Sequence, residues 1–144
     1  MKCRDIMSKG IRVCYPESTV KDAVQLMKEL NCGAVPIVDD NNKLQGIVTD
    51  RDIVIYTVLN DKEPELTFLK EFMTTPVYTC HVDDDLDTAI HKMSKHQIRR
   101  IPIVDDNYRL KGLITLGDVA VKANEEHETF EALEHISEPS MKKW

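Results

Sequence analysis

The chain has 144 residues, of which 42% are hydrophobic and 31% charged, and its formal net charge is −6. This length buries a core without disulfide or metal support, and the acidic balance argues against nucleic acid or an anionic membrane as a partner. No apolar run approaches the roughly 20 residues that cross a bilayer. The four cysteines form no C-x-x-C pair, so we expect reduced, mostly buried thiols, no metal site and a cytoplasmic protein.

The chain repeats itself at an offset of 66 residues. Between 5–55 and 71–121, 14 of the 51 aligned pairs are identical, and Ile37–Asn41 coincides with Ile103–Asn107. A chance match of this density is improbable, so the sequence predicts an internal duplication. The predicted division is repeat 1 at 2–59, a linker at 60–67, repeat 2 at 68–123, and an acidic, partly helical tail at 124–144.

Each repeat opens with a short lead-in and a brief strand, predicted at Ile11–Cys14 and Val77–Cys80. An amphipathic helix follows, since apolar residues recur at i, i+3, i+4 and i+7 from Val20. Ser18 and Asp84 occupy equivalent positions before the two helices, and their side chains are predicted N-caps.

Two strands follow this helix in each copy. In the first copy they are Ala34–Val38, rich in β-branched residues, and Leu44–Thr49, separated by turn-forming residues. Gly46 and its counterpart Gly112 indicate a bend or a close backbone approach.

A second helix is predicted to begin near Asp50, and near Leu116 in the second copy. The unit is therefore β-α-β-β-α, and the predicted fold class is mixed α/β (α+β). One copy of this size would be marginally stable alone. We therefore expect two pseudo-symmetric repeats packed sheet to sheet, with two related clefts between them.

Six segments carry a resemblance to a known family, three in each copy. They are Asp5–Ser8, Gly33–Asp39 and Gly46–Ile53, then Glu71–Thr74, Arg99–Asp105 and Gly112–Val119. The pattern resembles the CBS domain, named after cystathionine β-synthase, in its tandem form, the Bateman module. The short chain resembles the stand-alone prokaryotic members of that family.

The resemblance implies an adenosine-containing ligand: AMP, ADP, ATP or S-adenosylmethionine. The family's Gly-h-h-Thr/Ser-x-x-Asp element, in which h is hydrophobic, matches Gly46–Asp52 and Gly112–Asp118. Its Asp resembles the residue that accepts hydrogen bonds from the ribose hydroxyls, and its Thr resembles the one that contacts ribose or phosphate. A plain helix N-cap would also explain an Asp at this place, and both interpretations stay open.

Arg99-Arg100 is the main difference between the copies, since repeat 1 has Gly33-Ala34 at that place. Guanidinium groups bind phosphate through paired hydrogen bonds, although a surface ion pair with an acidic residue, or with a partner chain, is an equally good interpretation. Adjacent strand residues point to opposite faces, so at most one arginine is expected to touch a ligand.

We expect one cleft around Asp118 and one around Asp52. The residues predicted for the Asp118 cleft are Lys9, Gly10, Ile11, Arg12, Gly33, Ala34, Ile114, Thr115, Gly117 and Asp118, with positive charge from Lys9, Arg12 and Arg100. The residues predicted for the Asp52 cleft are Thr75, Pro76, Val77, Tyr78, Thr49, Arg51 and Asp52, with the backbone of Arg99 and Arg100. The greater positive charge favours the Asp118 cleft for the ligand.

The sequence thus predicts a regulatory adenine-nucleotide sensor that is not an enzyme, requires no cofactor, forms a homodimer and signals to an unknown effector protein. One alternative is a dimerisation or protein-interaction module with vestigial clefts. A second is a small nucleotide hydrolase that uses Asp83-Asp84-Asp85 and a metal. No acid, base and nucleophile set accompanies these aspartates, which more simply load a helix N-terminus with favourable charge.

Overall fold

A computed structural model describes residues 1–123 and 126–139. The described chain divides into two compact units that do not coincide with the sequence repeats. Unit 1 comprises Met1–Ile11, Tyr78–Asp106 and the described chain from Lys111 onward, whereas unit 2 comprises Arg12–Val77 and Asn107–Leu110. The lead-in of repeat 1 ends at Ile11 and lies in unit 1, with most of repeat 2. The lead-in of repeat 2 ends at Val77 and lies in unit 2, with most of repeat 1.

The helices and strands have a mixed α/β order. They are α1 (Cys3–Ile6), α2 (Val20–Leu30), β1 (Ala34–Val38), β2 (Leu44–Thr49), α3 (Asp50–Leu59), a 3-10 turn (Leu69–Glu71), β3 (Cys80–His81), α4 (Leu86–His96), β4 (Arg100–Val104), β5 (Leu110–Thr115), α5 (Leu116–Asp118), a π-helical turn (Val119–Ala123) and α6 (Glu126–Ser137). Of these, α2, β1, β2, α3 and the 3-10 turn belong to unit 2. The mixed α/β class predicted from the sequence is confirmed.

The two amphipathic helices begin one residue later than predicted, so the N-cap assignments of Ser18 and Asp84 are wrong. The N-cap of α2 is Thr19, whose hydroxyl accepts the N–H of the third helical residue. Ser18 Oγ instead accepts the Tyr15 N–H at 2.9 Å, and Asp84 Oδ2 accepts the His81 N–H at 2.8 Å. Each side chain thus stabilises the turn that precedes its helix, because short polar side chains hydrogen-bond to nearby backbone groups in turns as well as at helix N-termini.

Two small sheets carry the strands. β1 and β2 pair antiparallel with Ala34 opposite Thr49, and the other sheet has the order β3-β4-β5. The brief strands predicted ahead of the helices were too long. In the first copy only Cys14 pairs, in a parallel bridge with Ile37, and in the second copy the strand is β3, whose Cys80 lies parallel to Ile103.

Gly112 allows the lead-in of repeat 1 to lie against β5 in unit 1. Ser8 and Leu113 exchange two backbone hydrogen bonds of 2.9 and 3.1 Å. A Cβ at Gly112 would stand 2.7 Å from both Met7 Sδ and the Ser8 carbonyl oxygen, well inside van der Waals contact. The close backbone approach predicted for this glycine is confirmed.

Unit 2 repeats this arrangement with the lead-in of repeat 2. Thr74 and Ile47 exchange backbone hydrogen bonds of 2.9 and 3.1 Å. A Cβ at Gly46 would lie 2.8 Å from Met73 Sδ and 3.0 Å from the Thr74 carbonyl oxygen. Both glycines thus serve the same close contact, each with a lead-in from the other repeat.

The segment predicted as a linker packs against the start of α2. Its carbonyl oxygens at Pro64 and Thr67 accept the N–H groups of Lys21 and Val20 at 3.0 and 2.9 Å. Thr67 is the one buried polar residue among the described residues. These bonds satisfy two N–H groups that a helix N-terminus leaves unpaired.

Each unit has its own apolar core. In unit 1 the core includes Ile101, Ile103, Ile114 and Met93, and α6 packs on α4 with Ala132 buried between them. In unit 2 the core includes Val35, Ile37, Val48 and the 3-10 residue Leu69. Of the free cysteines, Cys3, Cys14 and Cys80 are buried, whereas Cys32 is exposed. None of the helices in the described part of the chain has the length and apolarity to cross a membrane.

Candidate functional site

Thr115 and Asp118 begin α5 with a reciprocal pair of hydrogen bonds. Asp118 N–H donates to Thr115 Oγ1 at 3.0 Å, and Thr115 N–H donates to Asp118 Oδ2 at 2.9 Å. Thr49 and Asp52 make the same pair at the start of α3, with both distances at 3.1 Å. The predicted N-terminal capping is therefore present at both sites, and one carboxylate oxygen of each Asp serves it.

Capping alone does not mark a ligand site, because Thr19 and Asp22 form the same reciprocal pair at α2. The pair at α2 lies at the exposed surface, whereas those at Thr49 and Thr115 are part-buried. The neighbours of the capping pairs, more than the pairs themselves, decide what these positions can bind.

In each unit, the residue just before one strand lies beside the first residue of a helix. Gly33, before β1, lies beside the start of α3, and Arg99, before β4, lies beside the start of α5. The Leu116 N–H donates to the Arg99 carbonyl at 2.9 Å, and the Asp50 N–H donates to the Gly33 carbonyl at 3.0 Å. These bonds arise because neighbouring antiparallel strands bring the start of one beside the end of the other. The predicted grouping of the Gly33-Ala34 backbone with Asp118, and of the Arg99-Arg100 backbone with Asp52, joins residues of both units and stays a prediction.

A groove of about 350 Å3 lies at this place in unit 1. Its lining includes Arg99, Arg100, Thr115 and Gly117, four residues predicted from the sequence to bind ligand. Among the described residues, no ion pair within 4 Å involves either arginine. Within this part of the chain the surface ion pair considered for Arg99 and Arg100 is therefore not formed, and both arginines line the groove.

Lys122 gives Asp118 a cation, whereas Asp52 forms no ion pair with any residue that the structure describes. Its ammonium nitrogen lies 3.3 Å from Asp118 Oδ1, 3.3 Å from Ser8 Oγ and 3.4 Å from the Ile6 carbonyl. The position equivalent to Lys122 in the first copy is Tyr56. Each carboxylate oxygen has two lone pairs, so Asp118 Oδ1 keeps the capacity to accept a further hydrogen bond beside Lys122.

The remaining predicted residues divide between the units. Unit 1 holds Lys9, Gly10, Ile11, Ile114 and Tyr78, and unit 2 holds Arg12, Ala34, Arg51, Thr75, Pro76 and Val77. Tyr78 stacks on His96 with ring centroids 3.7 Å apart. The Arg12 guanidinium lies 3.8 Å from the Glu29 carboxylate, which leaves less of its charge for an anionic ligand.

Sequence reasoning missed Lys122, which contacts Asp118, and four residues that line the groove: Leu116, Ala120, Thr129 and Leu133. Lys122 stands four residues after Asp118 on a helical segment, a spacing that pairs opposite charges and could have found it. Thr129 and Leu133 line the groove from α6. No pattern in the sequence reports which face of a tail helix packs beside the motif.

A larger groove of about 720 Å3 lies between α4 and α6. Its lining carries Asp87, Glu128, Glu131 and Glu138, against a single lysine, Lys95. Excess negative charge repels phosphate, and none of the motif residues contributes to this groove. It is therefore a poor place for a nucleotide.

The aspartate triplet considered for a hydrolase is occupied by structural contacts. In chain order, Asp83–Asp85 bond to the Arg4 guanidinium, the His81 N–H and the Lys2 ammonium. Within 1–123 and 126–139, no three His, Cys, Asp or Glu side chains are grouped to hold a metal ion. The triplet fastens α1 to the turn ahead of α4.

Comparison with known proteins identifies the architecture. The CBS domain family matches residues 3–58 and 69–125. The chain is 37% identical over 134 residues to the CBS domain-containing protein YhcV of Bacillus subtilis, across 93% of this chain and 94% of that protein.

Two solved structures are similar to the chain over most of its length. The CBS domain pair of protein MJ0100, in complex with 5-methylthioadenosine and S-adenosyl-L-methionine, matches with a TM-score of 0.76 and 32% identity, over 88% of this chain and 98% of that one. CBSX2 of Arabidopsis thaliana, in complex with AMP, matches with a TM-score of 0.75 and 25% identity, again over 88% and 98%. With two copies of the domain matched across most of its length, the chain belongs to the CBS-domain family.

Proposed function

We propose that this protein is a regulatory, non-catalytic module that binds an adenosine-containing ligand, AMP, ADP, ATP or S-adenosylmethionine, beside Thr115 and Asp118. The observation that carries the proposal is the unit 1 groove, lined by Thr115 and by two arginines that have no ion-pair partner within residues 1–123 and 126–139. The complexes of MJ0100 with S-adenosyl-L-methionine and of CBSX2 with AMP support this ligand class.

Asp118 would recognise the ribose with the carboxylate oxygen that the helix cap does not use. An ionised carboxylate accepts hydrogen bonds from vicinal hydroxyls, and a charge-assisted bond of this kind contributes about 1.5–3 kcal/mol. Lys122, whose ammonium lies 3.3 Å from Oδ1, adds positive charge near the ligand. Ile114, Lys9, Gly10 and Ile11, which share unit 1 with Asp118, complete the proposed site.

The equivalent place in unit 2 is the weaker candidate. There Thr49 and Asp52 stand beside Gly33 and Ala34, so the two arginines have no counterpart. Arg51, which directly precedes Asp52 in the sequence, is the cationic residue proposed for this site. The other members proposed for this second site are Thr75, Pro76 and Val77.

Binding is proposed to act by shifting the population of conformations that an effector protein recognises. A ligand shifts such an equilibrium only by its difference in affinity for the two states. Regulation therefore requires measurable binding, which makes binding the property to test first.

The test is a thermal-shift and calorimetry panel with AMP, ADP, ATP and S-adenosylmethionine. A ligand at about 100 times its Kd stabilises the fold by about 2.7 kcal/mol. Asp118→Asn keeps an oxygen for the Thr115 N–H and removes the charge, so we expect affinity to fall by about tenfold or more. Asp52→Asn is the matched variant, and we expect it to change affinity less.

Two results would count against this function. If none of the four ligands stabilises the protein, the alternative of an interaction module with vestigial clefts is favoured. If Asp118→Asn binds as tightly as the unmodified chain, Asp118 is only a helix cap.

The proposal includes a homodimer, on the strength of an apolar face of α3. Val54 and Val58 are 58% and 67% exposed, and residues four apart on a helix share one face. A second copy of the chain would cover this face.

We also place the protein in the cytoplasm. All four cysteines are free, and the pKa of the Cys14 thiol is raised, chiefly by burial, which keeps it protonated. Free thiols of this kind suit a reducing compartment.

A further inference from the structure

Two of the cysteines, Cys3 and Cys80, meet in the core of unit 1. They are 0% and 1% exposed and belong to the same apolar cluster, although they come from different repeats of the sequence. Their thiols are hydrogen-bonded to each other. The other two cysteines, Cys14 and Cys32, lie in unit 2. Unit 1 therefore brings two thiols into direct contact.

Backbone hydrogen bonds hold α1 beside the chain that follows β3. The Cys3 N–H donates to the Asp84 carbonyl at 2.9 Å, and the Arg4 N–H donates to the Val82 carbonyl at 3.1 Å. Cys80 is the first residue of β3. An S–S bond is about 2.05 Å long, and thiols that are already in contact need only a short movement to form it.

The surroundings of the pair make Cys80 the thiol that ionises more readily. The hydrogen bond from Cys3 holds the pKa of Cys80 below its usual value, and the charge of Lys92 acts in the same direction. Lys92 is fixed nearby, because its ammonium donates to the Thr79 carbonyl at 2.8 Å. The bond to Cys80, together with burial, raises the pKa of Cys3. Since the thiolate is the form that reacts with oxidants, Cys80 reacts first and Cys3 second.

Oxidation requires α1 to open, because both thiols are buried. α1 has only four residues, which is too short for a helix that is stable by itself. Two of the contacts that attach it are the exposed ion pairs of Lys2 and Arg4, and exposed ion pairs contribute little stability. Local opening of such a segment separates Cys3 from Cys80 and admits a small oxidant.

We propose that Cys3 and Cys80 form a reversible disulfide in response to hydrogen peroxide, and that this bond fastens α1 to β3. The Cys80 thiolate attacks one peroxide oxygen, the O–O bond breaks, and the leaving hydroxide takes up a proton, which gives a sulfenic acid and water. Cys3 Sγ then attacks the sulfenic sulfur, the S–O bond breaks, and the leaving hydroxide takes the Cys3 proton to form a second water. The two thiols lose two electrons to the peroxide, and a small thiol reductant reverses the bond by exchange. Transient redox-sensing disulfides of this kind occur in reducing compartments.

The disulfide would fasten a segment that touches the cation beside Asp118. Lys122 Nζ lies 3.4 Å from the carbonyl of Ile6, the last residue of α1, and 3.3 Å from Ser8 Oγ. The same nitrogen lies 3.3 Å from Asp118 Oδ1. Disulfide formation does not require a bound ligand, so it can be tested whether or not the proposed function holds.

The experiment treats the reduced full chain with hydrogen peroxide, blocks the remaining thiols by alkylation, and maps peptides by mass spectrometry without reductant. We expect a peptide pair that is cross-linked through Cys3 and Cys80 and that dithiothreitol separates. Cys14→Ala/Cys32→Ser keeps only the two thiols of unit 1 and should give the same cross-link. Absence of this cross-link from both proteins, or a cross-link through Cys32 instead, would overturn the inference.

A matched pair of single variants tests the order of the two steps. In Cys3→Ala the sulfenic acid on Cys80 has no partner, so dimedone should trap it there. In Cys80→Ala we expect Cys3 to stay unmodified at the same peroxide dose, because its thiol remains protonated. Equal or greater trapping at Cys3 would overturn the assigned order.

A third comparison tests the opening of α1. Lys2→Ala/Arg4→Ala removes both exposed ion pairs and should speed cross-linking by about twofold or more. Lys21→Ala is the control, since it removes an exposed ion pair with Glu65 in unit 2 and should leave the rate unchanged. Equal rates in both variants would contradict access by opening.

The fastening itself has its own readout. The Met7 N–H donates to the Cys3 carbonyl at 3.0 Å, so its hydrogen exchange reports whether α1 is closed. We expect this amide to exchange about tenfold more slowly in the oxidised chain, with a higher Tm, because the cross-link restricts opening and unfolding. Unchanged exchange and Tm in a fully cross-linked chain would overturn the fastening role.

Discussion

Two ion pairs at the surface hold the N-terminal residues against unit 1. Lys2 Nζ lies 2.9 Å from Asp85 Oδ1, and the Arg4 guanidinium bonds to the Asp83 carboxylate. The hydrogen bond from Arg4 holds the pKa of Asp83 below its usual value, and the hydrogen bond from Lys2 does the same for the pKa of Asp85. All four side chains are exposed, so solvent screens both pairs and their effect is modest.

These lowered pKa values predict acid sensitivity. A carboxyl whose pKa is lower in the folded state contributes stability above its unfolded pKa, near 3.8, and loses it as pH falls through the folded pKa. The free energy of unfolding should therefore drop more between about pH 6 and about pH 3 in the unmodified chain than in Asp83→Asn/Asp85→Asn. Urea unfolding at a series of pH values measures this difference, and parallel pH profiles would contradict the prediction.

The motif residues show what can be predicted at single positions. Gly-h-h-Thr-x-x-Asp at 46–52 and 112–118 predicted both the helix starts and the close approach at Gly46 and Gly112, because each depends on local chain geometry. Which strand ends share a cleft with which Asp depends on how distant segments of the chain pack together, and local patterns carry no record of it.

Helical periodicity predicted α2 and α4 well and the later helices poorly. The apolar stripes of α2 and α4 face a core, so their periodicity is strong. In the second copy the helix that begins at Leu116 has only three α-helical residues before a π-helical turn, whereas α3 has ten. Gly117 stands where α3 has Arg51, and glycine weakens a helix.

The apolar face of α3 predicts self-association that depends on Val58. We expect the chain to sediment as a dimer, and Val58→Lys to weaken dimerisation by about tenfold or more, because an ammonium would be buried in the interface. Val24→Lys is a matched control, since Val24 is an exposed valine on a different helix. A monomeric parent chain, or equal dimerisation of Val58→Lys and Val24→Lys, would contradict this interface.

At the scale of the whole chain, duplication and packing follow different boundaries. The 66-residue offset identifies the copies, yet the residues up to Ile11 pack with the second copy, and Leu69 and Thr74 pack with the first. A duplicated chain with exchanged lead-ins has the same sequence pattern as one without exchange. The compact units are therefore a result of the tertiary structure that no repeat analysis could supply.

This exchange predicts that a fragment cut at the sequence repeat will not fold. Residues 2–59 lack Leu69, which is fully buried in the core of unit 2, and the two backbone hydrogen bonds that Thr74 exchanges with Ile47 of β2. Residues 12–77 keep both. Loss of a buried leucine alone costs about 2–5 kcal/mol, a large part of the stability of a domain this small.

We therefore expect cooperative thermal unfolding, followed by circular dichroism, for 12–77 but not for 2–59. Residues 2–77 serve as the control and should behave like 12–77, because their added lead-in has no partner strand in unit 2. A fragment 2–59 that unfolds cooperatively, at the same temperature as 12–77, would show that each repeat is a folding unit by itself.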